Sequence, residues 1–283
     1  MQIDVNAIVK TIKEEGYIRI ENFIDAEVSK EIEDFMHSFN NDNYNKENLL
    51  ERICFKREEG KNRQGDAYMV SLEDNKLGTI MLDDGPVSTI FELYNSVLEK
   101  FVGKKMNINS RAMLNCQQYF ANSCVCQDHY DGYFIDFEHG SDGYGDKSLI
   151  INKALLPRLV AVVVLRNEND YGTYVRPHDS LERINIPNKS YDLIIFDNIR
   201  MRHGVPELEK PRMMIGFRNF DYCPYLFYKE VTDERGWEKL SDELNPGYIM
   251  EISEQDSVDI QKDFLKVWKS GLAETQLAKD AAF

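Results

Sequence analysis

The chain has little of what marks a secreted or membrane-bound protein. Residues Met1-Gln2-Ile3-Asp4-Val5 form no basic start to a signal peptide, and no apolar run reaches the ~20 residues of a membrane-spanning helix. The expectation is a cytoplasmic protein without a membrane partner. Cysteines number five, Cys54, Cys116, Cys124, Cys126 and Cys223; an odd count without a secretory signal argues against a disulfide framework. Cys124 and Cys126 lack a second ligand pair at suitable spacing, which argues against tetrahedral zinc. Basic residues are scarce: 34 Lys and Arg against 49 Asp and Glu give a formal charge of −15, with no local basic cluster. That balance opposes nucleic-acid phosphate as a partner. It suits a small or cationic substrate, and it also favours solubility in general. Repeats and low-complexity tracts are lacking as well.

Enough is present for one large core. With 283 residues and 42% hydrophobic content, the chain is expected to form a single domain over 1–283, its barrel at about 105–222 and helical flanks on both sides. Val5 to Ile12 has helical spacing and stops before Gly16, a residue suited to a left-handed helix end. Asp25 is placed to cap a second helix with Val28, Ile32, Phe35 and Met36 on its apolar face. Residues 40–67 read as a polar excursion containing one helix, and Phe91 to Val102 as a longer packing helix. The Gly- and Asp-rich stretch 132–157 has the composition of a mobile loop and is the expected lid. The tail from Asp256 to about Leu277 carries helical apolar spacing, to pack on the barrel or on a second subunit, which keeps a homodimer open.

Chemistry concentrates in few residues. His129-Tyr130-Asp131 is followed 72 positions after the aspartate by His203, in Met201-Arg202-His203-Gly204-Val205. Two imidazoles and one carboxylate can occupy one face of an octahedral Fe(II), leaving three positions open. The run Ala112 to Phe120 before His129 and the run Tyr191 to Asp197 before His203 read as strands, so each ligand is expected just past a strand end. Of the other histidines, His139 and His178 read as solvated loop residues and His37 as a structural one. Pro211-Arg212-Met213-Met214-Ile215-Gly216-Phe217-Arg218 alternates, placing Arg212, Met214, Gly216 and Arg218 on one face of a strand and Met213, Ile215 and Phe217 on the other. A guanidinium inside a barrel needs an anion, and a carboxylate matches its planar fork.

These residues resemble those of the Fe(II)/2-oxoglutarate-dependent dioxygenases, in particular the prolyl-hydroxylase-like branch, with its His-x-Asp, its distal His-Gly-Val and a basic residue about one strand later. The resemblance implies a mainly β fold, a double-stranded β-helix or cupin-like jelly roll with flanking α-helices. It implies Fe(II), with 2-oxoglutarate and O2 as co-substrates. His129, Asp131 and His203 match the metal ligands, Arg212 the residue that binds the distal carboxylate of 2-oxoglutarate, and Tyr119 a tyrosine that contacts the same co-substrate. Gly16 to Ile24 and Leu159 to Leu165 resemble the opening and central strands. The Gly-Gly-x-Leu turn usual after the central strand is replaced by Tyr171-Gly172-Thr173-Tyr174.

Arg63, Arg218-Asn219 and Trp237 are similar to residues of the clade of halogenases and hydroxylases that act on free lysine. That likeness implies a free amino acid as substrate, with Arg63 and Asn219 on its carboxylate and Trp237 over its side chain. Arg63 also reads as a solvated loop residue, Trp237 as a packing residue and Arg218 as a surface ion-pair partner. Related radical halogenases carry Gly or Ala where Asp131 stands, so the aspartate implies hydroxylation or desaturation. A peptidyl hydroxylase and a non-catalytic cupin-like binding or sensor protein remain the alternatives.

Overall fold

A computed structural model of the chain describes residues 3–40, 51–55, 65–71, 87–105, 112–119, 126–131, 133–139, 149–177, 180–219, 225–227 and 249–251. In order these form α1 (Val5–Glu15), β1 (Tyr17–Ile20), α2 (Ala26–Asn40), β2 (Glu51–Phe55), β3 (Gly65–Ser71), α3 (Ser88–Val102), β4 (Ala112–Tyr119), β5 (Cys126–His129), β6 (Tyr133–His139), β7 (Leu149–Leu155), β8 (Leu159–Asn167), β9 (Thr173–Pro177), β10 (Ile184–Ile186), β11 (Leu193–Asp197), β12 (Met201–Val205), β13 (Arg212–Asn219), β14 (Tyr225–Phe227) and β15 (Ile249–Glu251). One sheet runs β1-β11-β8-β13-β4-β3-β2, and a second runs β10-β9-β12-β5. From β4 to β5, and again from β8 to β13, the chain passes back and forth between these two sheets, with antiparallel pairing throughout. This is the jelly roll, or double-stranded β-helix, expected from the sequence.

Within the larger sheet, β8, β11 and β13 are buried on both faces, which is why β8 and β11 read as continuous apolar runs. Val160, Val162, Ile194, Phe196 and Met214 face the interior cluster. Their neighbours Leu159, Ala161, Val163, Leu165, Leu193, Ile195, Met213, Ile215 and Phe217 face an outer cluster covered by α1 and α3. Alternation along β13 is therefore as its sequence requires. α1 begins at Asp4, whose carboxylate accepts from Asn6 N and Ala7 N at 2.9 and 3.2 Å. It ends at Gly16, at φ 85°, whose N–H donates to Ile12 O at 2.8 Å. The expected cap of α2 is present too, with Val28 N donating to Asp25 Oδ1 at 2.8 Å. β1 pairs along its whole length with β11, from Tyr17↔Phe196 to Ile20↔Leu193. That seam is locked by Asp192, which accepts from Arg19 Nε, Asn22 N and Lys189 N at 2.8, 3.0 and 2.7 Å.

Three expectations are corrected. In the segment 40–67, β2 and the start of β3 form a hairpin that extends the larger sheet beyond β4, while 41–50 and 56–64, where the expected helix would fall, lie outside the described residues. In 132–157, β6 and β7 pair with each other and, through β14, with β15 in a third, four-stranded sheet, so much of the expected lid is ordered β-structure and His139 belongs to a strand. His129 and His203 lie within β5 and β12 and not past strand ends. Sequence patterning misses such strands because Cys-Gln-Asp-His and Met-Arg-His-Gly-Val are short and carry little apolar alternation. The tail 256–277 lies outside the described residues. Among those that are described, no helix is long and apolar enough to cross a membrane.

Phe217 packs its ring against Phe91 and Tyr94 of α3, at centroid distances of 6.1 and 6.3 Å, and is wholly buried. Phe217→Ala is expected to lower stability by about 3–5 kcal/mol, because the cavity lies between a sheet and a helix that cannot collapse onto it. Urea unfolding measures this directly.

Candidate active site

The barrel interior holds polar groups at one end. Asp131 follows the last residues of β5, and His203 sits in the middle of β12 between the inward-facing Met201 and Val205. Both are buried, at 7% and 9% exposure. His203 Nε2 stands 3.5 Å from Asp131 Oδ2, and its ring packs against Phe196 at a centroid distance of 4.5 Å. His129 is the direct cross-strand partner of His203 in the β5–β12 ladder. The three residues picked from the sequence thus come together on adjoining strands, with a two-residue step carrying the chain from His129 to Asp131.

The donor set suits an octahedral cation. Adjacent ligands on bonds of about 2.1 Å are about 3 Å apart, close to the 3.5 Å between His203 Nε2 and Asp131 Oδ2. Among the described residues no cluster of three or more His, Cys, Asp or Glu side chains forms; His129 is placed here by its register with His203.

Two arginines of β13 enter the same interior at separate places. Arg212 is fully buried, donates from Nη2 to Thr173 Oγ1 at 2.7 Å, and lies 5.8 Å from the ring centroid of Tyr119, its register partner on β4. Gly172 makes this approach possible: a Cβ there would fall 2.6 Å from Arg212 Nε and 2.7 Å from its Cδ. The unusual Tyr171-Gly172-Thr173-Tyr174 turn is thus built to cover and orient a guanidinium. Arg218, six residues further along β13 and so about 20 Å away between α-carbons, places Nη2 2.6 Å from Asp131 Oδ2. Its Nη1 is buried and has no hydrogen-bond partner among the described residues. Arg218 is thus a buried partner of Asp131, not a surface ion-pair residue.

Asn219 points away from this interior, its amide donating to Asn95 Oδ1 of α3 at 3.1 Å. Arg63 and Trp237 lie outside the described residues, as does His178. Thr173 and Asn198, which hold Arg212 and the Asp131 backbone respectively, were not singled out from the sequence. The only sequence signals for them are the departure from the usual turn at Gly172 and the Asp197-Asn198 pair ending a strand.

No protein-family model and no curated protein matches the chain. Among solved structures it is similar to a Pseudomonas putida prolyl-4-hydroxylase, at 11% identity over 77% of this chain and 100% of that one, with a TM-score of 0.49. It is similar to the non-heme alpha-ketoglutarate-dependent carbocyclase SnoK of nogalamycin biosynthesis, at 12% identity over 87% and 93% of the two chains and a TM-score of 0.49. It is also similar to the epimerase SnoN in complex with Fe3+, alpha-ketoglutarate and nogalamycin RO, at 12% identity over 88% and 93% and a TM-score of 0.47.

Thr173→Val keeps the shape of the side chain and removes the acceptor of a buried, charged donor. It is expected to cost on the order of 1–3 kcal/mol, read as a lower urea midpoint with an unchanged slope.

Proposed function

We propose that the chain is an Fe(II)- and 2-oxoglutarate-dependent oxygenase that hydroxylates an unactivated C–H bond of a small molecule, a free amino acid such as lysine. The observation that carries this reading is the pairing of His203 Nε2 with the Asp131 carboxylate inside a jelly roll, opposite His129 and one strand step from a covered guanidinium. His129, Asp131 and His203 would hold the metal. Arg212 would take the distal carboxylate of 2-oxoglutarate. His203 is opposite Val175 on β9, and Thr173, which fixes Arg212, is two residues away, about 7 Å along the strand. An extended five-carbon diacid fits between such points.

When bound, iron with 2-oxoglutarate and O2 supplies the oxidising power, the co-substrate leaving as succinate and CO2. The chain's own residues position and shield. Phe196 covers one side of the His203 ring and excludes water from it. The Arg212 fork holds a carboxylate through two parallel bonds, a geometry lysine cannot copy. Asp131 fills the coordination position a halide would need, which favours hydroxylation over chlorination. Arg218, with a buried N–H to spare, supports a carboxylate-bearing substrate beside the metal. Arg63 and Trp237 are proposed as further contacts to it; Asn219, on the opposite face of β13, is assigned to α3 instead.

The test is a screen of free amino acids with Fe(II), 2-oxoglutarate and O2 for stimulated succinate release and a mass gain of one oxygen. Stimulation by a peptide alone would transfer the assignment to a peptidyl hydroxylase. No succinate under any condition, with metal bound, would favour a binding or sensor protein. His129→Ala and His203→Ala are each expected to abolish iron binding and turnover while the circular dichroism of the barrel is retained; full activity in either removes the metal assignment. Arg212→Ala is expected to raise the 2-oxoglutarate concentration for half-maximal rate tenfold or more, since a charge-assisted contact contributes on the order of 1.5–3 kcal/mol. The requirement for the primary substrate should move far less, and the reverse split would exchange the roles of Arg212 and Arg218.

A further inference from the structure

β5 ends at His129, and the chain leaves the smaller sheet just where the carboxylate must be aimed. Asp131 has therefore lost the ladder partners that fix a strand residue, yet its backbone is buried and has to be satisfied. The amide of Asn198 replaces them. Its Oδ1 accepts from Asp131 N at 2.9 Å, and its Nδ2 donates to Asp131 O at 2.8 Å and to Pro157 O at 3.0 Å. A side-chain amide carries the same donor and acceptor pair as a peptide group, so one residue reproduces a sheet partner at a place where no strand can run.

Asn198 is itself immobile. It is wholly buried, and its own N–H donates to Arg158 O at 3.0 Å. The preceding Asp197 accepts from Ile199 N at 3.1 Å and from Arg158 Nη2 at 2.8 Å, and its N–H donates to Gly16 O at 2.8 Å. Arg200, two residues on, donates to Lys13 O at 2.7 Å. This turn leads directly into β12, so Asn198 stands five residues before His203 while holding the backbone of Asp131. One anchored side chain sets the position of one proposed ligand against the strand that bears another.

We propose that Asn198 is a positioning residue for the metal centre, acting through the Asp131 backbone to fix the carboxylate against His203. This rests on the reading of Asp131 and His203 as metal ligands. The experiment titrates redox-inert Mn(II) into the full chain and follows free and bound metal by EPR, in the unaltered protein, Asn198→Ala, Asn198→Asp and a control, Ser29→Ala. The control deletes a buried hydrogen bond, from Ser29 Oγ to Leu165 O at 2.8 Å, away from the site.

Asn198→Ala is expected to weaken Mn(II) binding at least tenfold and to alter the bound-metal spectrum, whereas Ser29→Ala changes neither, although both lower the melting temperature. Asn198→Asp keeps the acceptor for Asp131 N but sets a buried carboxylate oxygen against the Asp131 and Pro157 carbonyls, so it should weaken binding at least as much as Asn198→Ala. Unaltered affinity and spectrum in Asn198→Ala would overturn the proposal. Should that variant not fold, amide hydrogen exchange in the unaltered protein decides: the Asp131 N–H is expected to be strongly protected, and solvent-like exchange there refutes the clamp. Failure of the unaltered protein to bind Mn(II) at all would instead bring down the ligand assignment on which the clamp depends.

Discussion

Everything in this molecule hangs on β13 having two different jobs on its two faces. Met213, Ile215 and Phe217 seat the helices outside the barrel, and Arg212, Met214 and Arg218 fill its inside. A strand has a side-chain period of two, so a slip of one residue would exchange the sets, driving two guanidinium groups into an apolar helix interface and three large apolar side chains into a polar pocket. The register is thus fixed by the cost of the alternative as much as by the contacts made. The eight-residue ladders to β4 on one side and seven paired positions to β8 on the other hold it there.

That register brings two guanidinium groups into the interior. Among the described residues, Arg212 and Arg218 both enter it, and Asp131 alone stands against them as a carboxylate. Taking an ion out of water costs several kcal/mol even after relaxation, and each arginine is met inside the barrel: Arg212 by the Thr173 hydroxyl and the Tyr119 ring face, Arg218 by Asp131. Arg218 Nη1 has no hydrogen-bond partner among the described residues.

The sequence displayed the apolar strands and the reactive residues well, because both leave periodic or compositional traces. Leu159 to Leu165 and Leu193 to Asp197 are runs of β-branched and large apolar side chains, and the arginine-bearing strand alternates cleanly. What it concealed were features with no periodicity of their own. The β2–β3 hairpin lies in a polar stretch resembling an excursion. The β6–β7 pair flanks the stretch 140–148, whose glycines and aspartates have the composition of a loop and mask the strands on either side. Asn198 was hidden for a different reason: its value comes from a partner 67 residues earlier in the chain, and a lone asparagine in a turn normally serves its own neighbours.

The first strand has a meaning for solubility. β1 lies along the outer side of β11, whose Leu-Ile-Ile-Phe-Asp is buried from end to end. An uncovered strand of that composition offers a row of backbone donors and acceptors flanked by apolar side chains, the template on which foreign strands assemble. Four residues of β1, held to Asp192 through Arg19 and Asn22, cover that strand and leave a short, half-buried strand at the edge instead. The N-terminal segment thus moves the sheet's edge away from its most apolar strand, and the ion pair between Arg19 and Asp192 is the latch that holds it in place.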